Sequence, residues 1–126
     1  MSAASAPAPA HARAEHFVDV EGRRVAVDSE GYLIDRSQWS HAFARALAKK
    51  EGLELTPAHW QVIEFLRDYE AEHGVQAQVR VRIKAFTDLW GPERGSNHHL
   101  HDMFPRGGPQ KQGNRLAGLL RTKGEH

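Results

Sequence analysis

Residues 53–70, LELTPAHWQVIEFLRDYE, contain the clearest helix signal in the sequence. Thr56 followed by Pro57 is a typical helix start, because threonine caps backbone N–H groups and proline fits the first helical position. A wide apolar stripe at helical spacing follows and ends near Gly74; its members are Trp60, Ile63, Phe65, Leu66 and Tyr69. The stretch therefore predicts an amphipathic helix that buries one face.

Two further elements are predicted before this helix. Residues 17–35, FVDVEGRRVAVDSEGYLID, alternate apolar and polar side chains around Glu21 and Gly22. This pattern predicts a β-hairpin, extended by a short third strand at residues 32–34. Asp35 or Ser37 is then expected to cap a helix that ends at Gly52. Its apolar stripe consists of Trp39, Phe43, Ala46 and Leu47, followed by Lys50.

Residues 75–90, VQAQVRVRIKAFTDLW, fit two different elements. The apolar positions from Val75 to Ile83 alternate as in a strand, whereas Val79, Ile83, Phe86 and Trp90 have helical spacing. The local pattern alone favours a strand for the first half.

Two short helices are predicted beyond this segment. Ser96 or Asn97 can cap the first, which Pro105 ends. Pro109 can open the second, which is weakened by glycine and contains Leu116, Leu119 and Leu120.

The composition is that of a single globular domain. The 126 residues include 40% hydrophobic and 26% charged side chains, and the net charge is +1. Residues 1–16 are rich in alanine and proline and are expected to be a disordered tail. They lack the pattern of a secretory signal, and no apolar run is long enough to span a bilayer, so we expect a cytoplasmic protein with no membrane partner.

Motifs for common catalytic and cofactor sites are absent from the sequence. His98, His99 and His101 lie close together, but no cysteine or HExxH pair completes a zinc site, so we expect no metal. The glycines form no nucleotide-phosphate loop, and no serine lies in a GxSxG motif. We therefore expect neither an enzyme nor a bound cofactor.

DNA binding is an alternative function. If residues 79–90 are helical, Arg80, Lys84 and Thr87 form one ridge, and a glycine-containing turn leads to the next helix. This order is typical of helix-turn-helix transcriptional regulators. Arrays of three helices with arginines on the surface are common, however, so the pattern has low specificity.

Five stretches taken together resemble the DsrC/TusE family of sulfur-relay proteins. They are VEGRRVAVDSEGYLIDRSQW (20–39), residues 53–70 quoted above, VRVRIKAF (79–86), GSNHHLHDMFPRGGPQKQ (95–112) and RLAGL (115–119). The resemblance implies an α+β fold in which an N-terminal β-meander or hairpin packs against about five helices, with residues 79–90 helical. It also implies a domain over residues 17–118 and a flexible C-terminal arm over residues 119–126.

In this family, a cysteine next to the end of the arm accepts sulfane sulfur from a TusBCD/DsrEFH-type donor. TusE-like members pass the sulfur towards tRNA thiolation, and DsrC serves dissimilatory sulfite reductase chemistry with a second, inner cysteine. Here the inner cysteine position is Asn114 and the arm position is Glu125, and the chain contains no cysteine. Neither an amide nor a carboxylate can form a persulfide, so the resemblance implies a family member that does not carry sulfur.

Four basic residues match the family pattern near the expected docking place of the arm. Arg80, Lys84, Lys111 and Arg115 could bind a partner protein or an anion through charge-assisted hydrogen bonds, or Arg80 and Lys84 could pair only with acidic residues of the domain. We expect a binding or regulatory protein of sulfur transfer or sulfur oxidation, whose partners are sulfur-relay proteins or a sulfite-reductase-type complex. DNA-binding regulation is the first alternative. A relay role in tRNA thiolation, which the missing cysteines disfavour, is the second.

Overall fold

The computed structural model describes residues 16–120, which form an α+β fold. A two-stranded antiparallel sheet precedes five helices. The elements are β1 (His16–Val20), β2 (Arg23–Val27), α1 (His41–Lys50), α2 (Pro57–His73), α3 (Val79–Trp90), α4 (Asn97–Met103) and α5 (Asn114–Leu116). A 3-10 turn, Arg36–Gln38, precedes α1, and a π-helical turn, Pro109–Gly113, runs directly into α5. Within the described range, no helix is long and apolar enough to cross a membrane.

The hairpin forms where the alternating pattern predicts it. Val20 pairs with Arg23, so Glu21 and Gly22 alone make the turn, with φ angles of 52° and 87°. Positive φ at both positions matches the right-handed twist of the flanking strands. The predicted third strand is wrong: Leu33 forms only an isolated bridge with Val27, because the chain turns into the 3-10 segment immediately afterwards.

The first helix begins later than the sequence predicts. Ser40 is its N-cap and accepts a hydrogen bond from the Phe43 N–H. Asp35 instead caps the preceding 3-10 turn, where its carboxylate accepts from the Ser37 N–H. Because each polar residue caps a separate element, the predicted single helix is divided into the 3-10 turn and α1. Trp39 lies between the two.

The second helix has the predicted start and end. Thr56 caps it, Pro57 is its first residue, and Gly74 ends it at a φ of 75°. The third residue, His59, completes a capping box, because its Nδ1 accepts from the Thr56 N–H at 3.1 Å.

The segment that fitted two elements is a helix from Val79 to Trp90, so the strand expectation for its first half is wrong. Arg82 and Phe86, four residues apart, are the fully buried positions, and the Phe86 ring meets Phe65 of α2 edge to face. Burial of this face decides the outcome, whereas Val75, which belongs to the alternating pattern alone, stays exposed.

The core lies where the hairpin and the helices meet. Its largest fully buried side chains include Phe43, Phe86, Phe104, Ile63 and Leu66. The last helix is shorter than predicted, because Gly118 adopts a φ of 72° and Leu119 and Leu120 follow it outside the helix. Leu119, assigned above to the arm, is 2% exposed and packs in the core.

The predicted tail and arm fall mostly outside the described residues. Residues 1–15 and 121–126 are not described, so Glu125 has no structural account. His16, assigned above to the tail, is the first residue of β1.

Candidate functional site

The inner cysteine position is occupied by a buried amide. Asn114 is the first residue of α5 and is 1% exposed. Its Nδ2 donates hydrogen bonds to the Gln110 carbonyl at 2.7 Å and to Gln76 Oε1 at 3.0 Å. The side chain therefore holds the π-helical turn against the segment between α2 and α3.

Gln76 connects this position to the base of the arm. While its oxygen accepts from Asn114, its Nε2 donates to the Leu120 carbonyl at 2.8 Å. One glutamine thus joins the residue at the inner cysteine position to the last described residue of the chain. Sequence patterns give no signal for Gln76, because it lies in a short polar loop.

A buried arginine adjoins the same turn. Arg82 of α3 is 2% exposed and donates to the Ala77 carbonyl at 2.7 Å and to Gln110 Oε1 at 3.3 Å. Arg82 is not among the residues predicted from the sequence. Helical spacing is the sequence feature that could have identified it, because residues 82 and 86 lie on the same face of a helix.

Three side chains bind consecutive carbonyls just before the arm. Trp39 Nε1 donates to the Leu116 carbonyl at 2.7 Å. The carbonyls of residues 117 and 118 accept from Arg67 Nη1 at 2.8 Å and from Arg36 Nε at 3.2 Å. We call Arg36, Trp39 and Arg67 the carbonyl clamp; it fixes the backbone path that leads into the arm.

The clamp arginines are themselves held in place. The Arg67 guanidinium lies 3.7 Å from the centre of the Trp39 ring, and Arg36 pairs with Glu70 at 3.1 Å. Burial, together with the neighbouring charge of Arg36, lowers the pKa of Arg67, which still remains a cation at neutral pH. The clamp therefore keeps its donors under physiological conditions.

Arg115, predicted to bind a partner, points into the protein. Its guanidinium makes two hydrogen bonds to Glu51, at 3.0 and 2.9 Å, and both side chains are 8% exposed. Burial works against the charged form, but the hydrogen bonds and charge of Glu51 outweigh it and raise the pKa of Arg115. This buried pair joins α5 to the end of α1.

The other three predicted residues lie closer to solvent. Arg80 and Lys84 are on the exposed face of α3, and Lys111 is partly buried in the π-helical turn. Lys84 pairs with Asp88 at 3.3 Å, but their side chains are 80% and 65% exposed, so this pair contributes little to stability. Arg80 and Lys84 thus form a solvent-facing ridge on the helix that also carries Arg82, and their partner-binding role stays a prediction.

The histidine cluster does not form a ligand set. His98 lies 3.4 Å from Asp102 in an exposed pair on α4. Among residues 16–120, no group of three or more His, Asp or Glu side chains could hold a metal ion. The alternative that α3 and α4 read DNA stays a prediction.

Comparison with known proteins places the chain beside sulfur-relay proteins. The family profile described as "DsrC like protein" matches residues 19–124. The sulfurtransferase TusE of Salmonella choleraesuis (strain SC-B67) is 42% identical over 99 residues, covering 79% of this chain and 90% of that protein. TusE of Escherichia coli K12 is 40% identical with the same coverage.

Solved structures show the same similarity in three dimensions. The crystal structure of DsrC, the oxidized gamma-subunit of the dissimilatory sulfite reductase from Archaeoglobus fulgidus, has a TM-score of 0.80 at 33% identity, covering 88% of this chain and all of that one. The NMR structure of Allochromatium vinosum DsrC has a TM-score of 0.74 at 41% identity, covering 87% and 97%.

Proposed function

The chain belongs to the DsrC/TusE family of sulfur-relay proteins, and from this premise we propose that it is a non-catalytic member. In this proposal the protein binds components of sulfur transfer or sulfur oxidation in a regulatory or competing role. The proposal includes the cytoplasmic location expected from the sequence.

One observation carries the proposal: none of the 126 residues is a cysteine. Accepting sulfane sulfur requires a thiolate as nucleophile, and no other side chain in the protein replaces it. For this reason a relay role in tRNA thiolation, as in TusE, is disfavoured.

The buried environment of Asn114 supports the loss of sulfur chemistry at the inner position. The amide uses two donor bonds, to Gln110 and Gln76, that a thiol could not reproduce. The position therefore has a structural role in this protein, as part of the packing below the arm.

The contacts at the base of the arm support a binding function. The carbonyl clamp and Gln76 hold residues 116–120, and the ridge of Arg80 and Lys84 adds two cations on an adjacent helix. We propose that this surface contacts a TusBCD/DsrEFH-type protein or a sulfite-reductase-type complex. The sulfite-reductase-type complex is proposed because the A. fulgidus relative is described as the gamma-subunit of the dissimilatory sulfite reductase.

The test is a binding measurement with purified partners from the same organism. The full chain is immobilised, and TusBCD/DsrEFH-type and sulfite-reductase-type complexes are passed over it. We expect saturable binding to at least one complex, weakened several-fold in Arg80→Gln/Lys84→Gln by loss of two interfacial charges. The control Arg23→Gln/Arg94→Gln removes two exposed charges elsewhere and should bind as the wild type does.

Two outcomes count against the proposal. Absence of binding to every such complex contradicts the partner, and a stable mass gain of one sulfur atom after incubation with a persulfide donor contradicts the non-catalytic role.

A further inference from the structure

A groove lies between the end of α1 and the start of α2. Its first wall is one stripe of α1 that continues to Gly52, the second residue beyond the helix. The members of this stripe are Arg45, Ala48, Lys49 and Gly52, at helical spacing. Leu53, Leu55 and Trp60, with Glu54, form the opposite wall. The groove has a volume of about 460 Å³, within the usual size range of small-molecule sites.

The floor of the groove is apolar. Ala48 is buried, and Leu53, Leu55 and Trp60 pack against the core while keeping part of their surface in the groove. The Trp60 ring also contacts His41, with the ring centres 5.4 Å apart. Trp60 therefore adds an aromatic side chain to the apolar lining.

The groove also carries two available cations. Arg45 and Lys49 are exposed, and within residues 16–120 neither side chain forms an ion pair or hydrogen bond. They lie one helical turn apart, so both heads can reach the same anionic group. Glu54 is the one carboxylate in the lining, which leaves an excess of positive charge.

From this arrangement we propose that the groove binds a small amphiphilic anion, in which a flat apolar body carries one carboxylate or sulfonate. The body lies against Trp60, Leu53 and Leu55, and Arg45 and Lys49 hold the charged end through charge-assisted hydrogen bonds. Glu51, which binds Arg115, is not among the residues that line the groove. It neither depends on the proposed partner nor uses the arm.

The test uses two probes with the same ring system, anilinonaphthalene sulfonate and the uncharged N-phenylnaphthylamine. Fluorescence titration of the full chain gives their affinities, and backbone amide shifts map their positions. We expect saturable binding of the sulfonate, with shifts concentrated in residues 45–60, and much weaker binding of the uncharged probe.

Three charge variants make the result specific. Arg45→Gln/Lys49→Gln should weaken sulfonate binding roughly tenfold, because two favourable charges are lost at an exposed site. Glu54→Gln should strengthen it, since a like charge is removed. The control Arg23→Gln/Arg94→Gln should leave the affinity unchanged.

The proposal is overturned if the uncharged probe binds as tightly as the sulfonate. Equal affinity in Arg45→Gln/Lys49→Gln, shifts centred elsewhere, or no saturable binding has the same consequence. None of these outcomes bears on the partner measurements with Arg80 and Lys84, so the two proposals can fail separately.

Discussion

At the scale of single residues, the inner cysteine position is occupied by a buried amide. Asn114 is closed off by its hydrogen bonds to Gln76 and Gln110. Glu125 belongs to the expected arm and lies outside the described residues. The two positions should therefore respond differently when a thiol is introduced.

Glu125→Cys is expected to gain one sulfur atom from a small-molecule persulfide donor, because an arm thiol can form a nucleophilic thiolate. Asn114→Cys should gain little, since burial restricts access and raises the thiol pKa. Intact-protein mass spectrometry compares the two variants with the wild type. Equal labelling of both variants would contradict the buried position of residue 114.

The Glu51–Arg115 pair predicts a large stability effect. Glu51→Gln leaves a buried guanidinium without its counter-charge, and breaking a buried pair typically costs about 3–5 kcal/mol. Urea unfolding followed by circular dichroism measures the loss of unfolding free energy. The exposed-site control is Asp88→Asn, which removes the Lys84 partner and should cost less than about 1 kcal/mol.

At the scale of elements, His59 links two helices that are distant in sequence. Its Nδ1 accepts from the Thr56 N–H, and its Nε2 contacts the Met103 carbonyl at 2.7 Å. The first bond requires an unprotonated Nδ1, so the proton lies on Nε2 and is donated to the carbonyl. One imidazole therefore caps α2 and fastens the end of α4.

His59→Ala is expected to lower the free energy of unfolding by about 2–3 kcal/mol, the sum of a lost capping-box bond and a partly buried carbonyl left unsatisfied. His59→Gln should recover part of this loss, because glutamine is a usual third residue of a capping box. Chemical denaturation measures both. His73→Ala, at an exposed position near the end of α2, is the matched control; a similar loss there would contradict the assigned role.

The elements also show what local sequence can and cannot predict. The sequence identified two helix caps, Thr56 and Ser96, and the hairpin turn at Glu21 and Gly22. Each of these features depends on contacts within three or four residues along the chain. Residues 79–90 were ambiguous from local pattern because burial against Phe65 decides between strand and helix. Only the family resemblance, which extends far beyond this segment, predicted that helix correctly.

Contacts between distant residues also limit what the sequence predicts at the candidate site. The positions of Asn114 and Arg115 were found by resemblance, but the inward direction of Arg115 depends on Glu51, which is 64 residues away. The sequence did not predict the roles of Gln76, Arg82 and the carbonyl clamp. Their hydrogen bonds go to backbone carbonyls or to side-chain amides. Such contacts leave no motif in the sequence.

At the scale of the whole molecule, the chain has the fold of the DsrC/TusE family and contains no cysteine. We propose that the protein competes with sulfur-carrying members of the family. When it binds their partner, it blocks sulfur transfer to them and accepts no sulfur itself. The ratio of the two proteins would then set the flux of sulfur.

Adding the protein to a reconstituted transfer from a persulfide donor complex to a cysteine-bearing family member should slow the labelling of that member. The inhibition should rise with concentration and weaken in Arg80→Gln/Lys84→Gln, because the proposed docking contact then loses two charges. The time course of labelling by mass spectrometry is the measurement. An unchanged rate at saturating protein would contradict competition.

The carbonyl clamp has a consequence for how the chain reaches its native state. Its bonds join residues separated by 82, 77 and 50 positions, so their formation requires closure of most of the chain. Contacts of such high sequence separation form slowly, and residues 116–118 are among the last of the described segment to leave the ribosome. We therefore expect the base of the arm to be ordered only at the end of folding. A partner that recognises this surface would distinguish mature molecules from nascent ones.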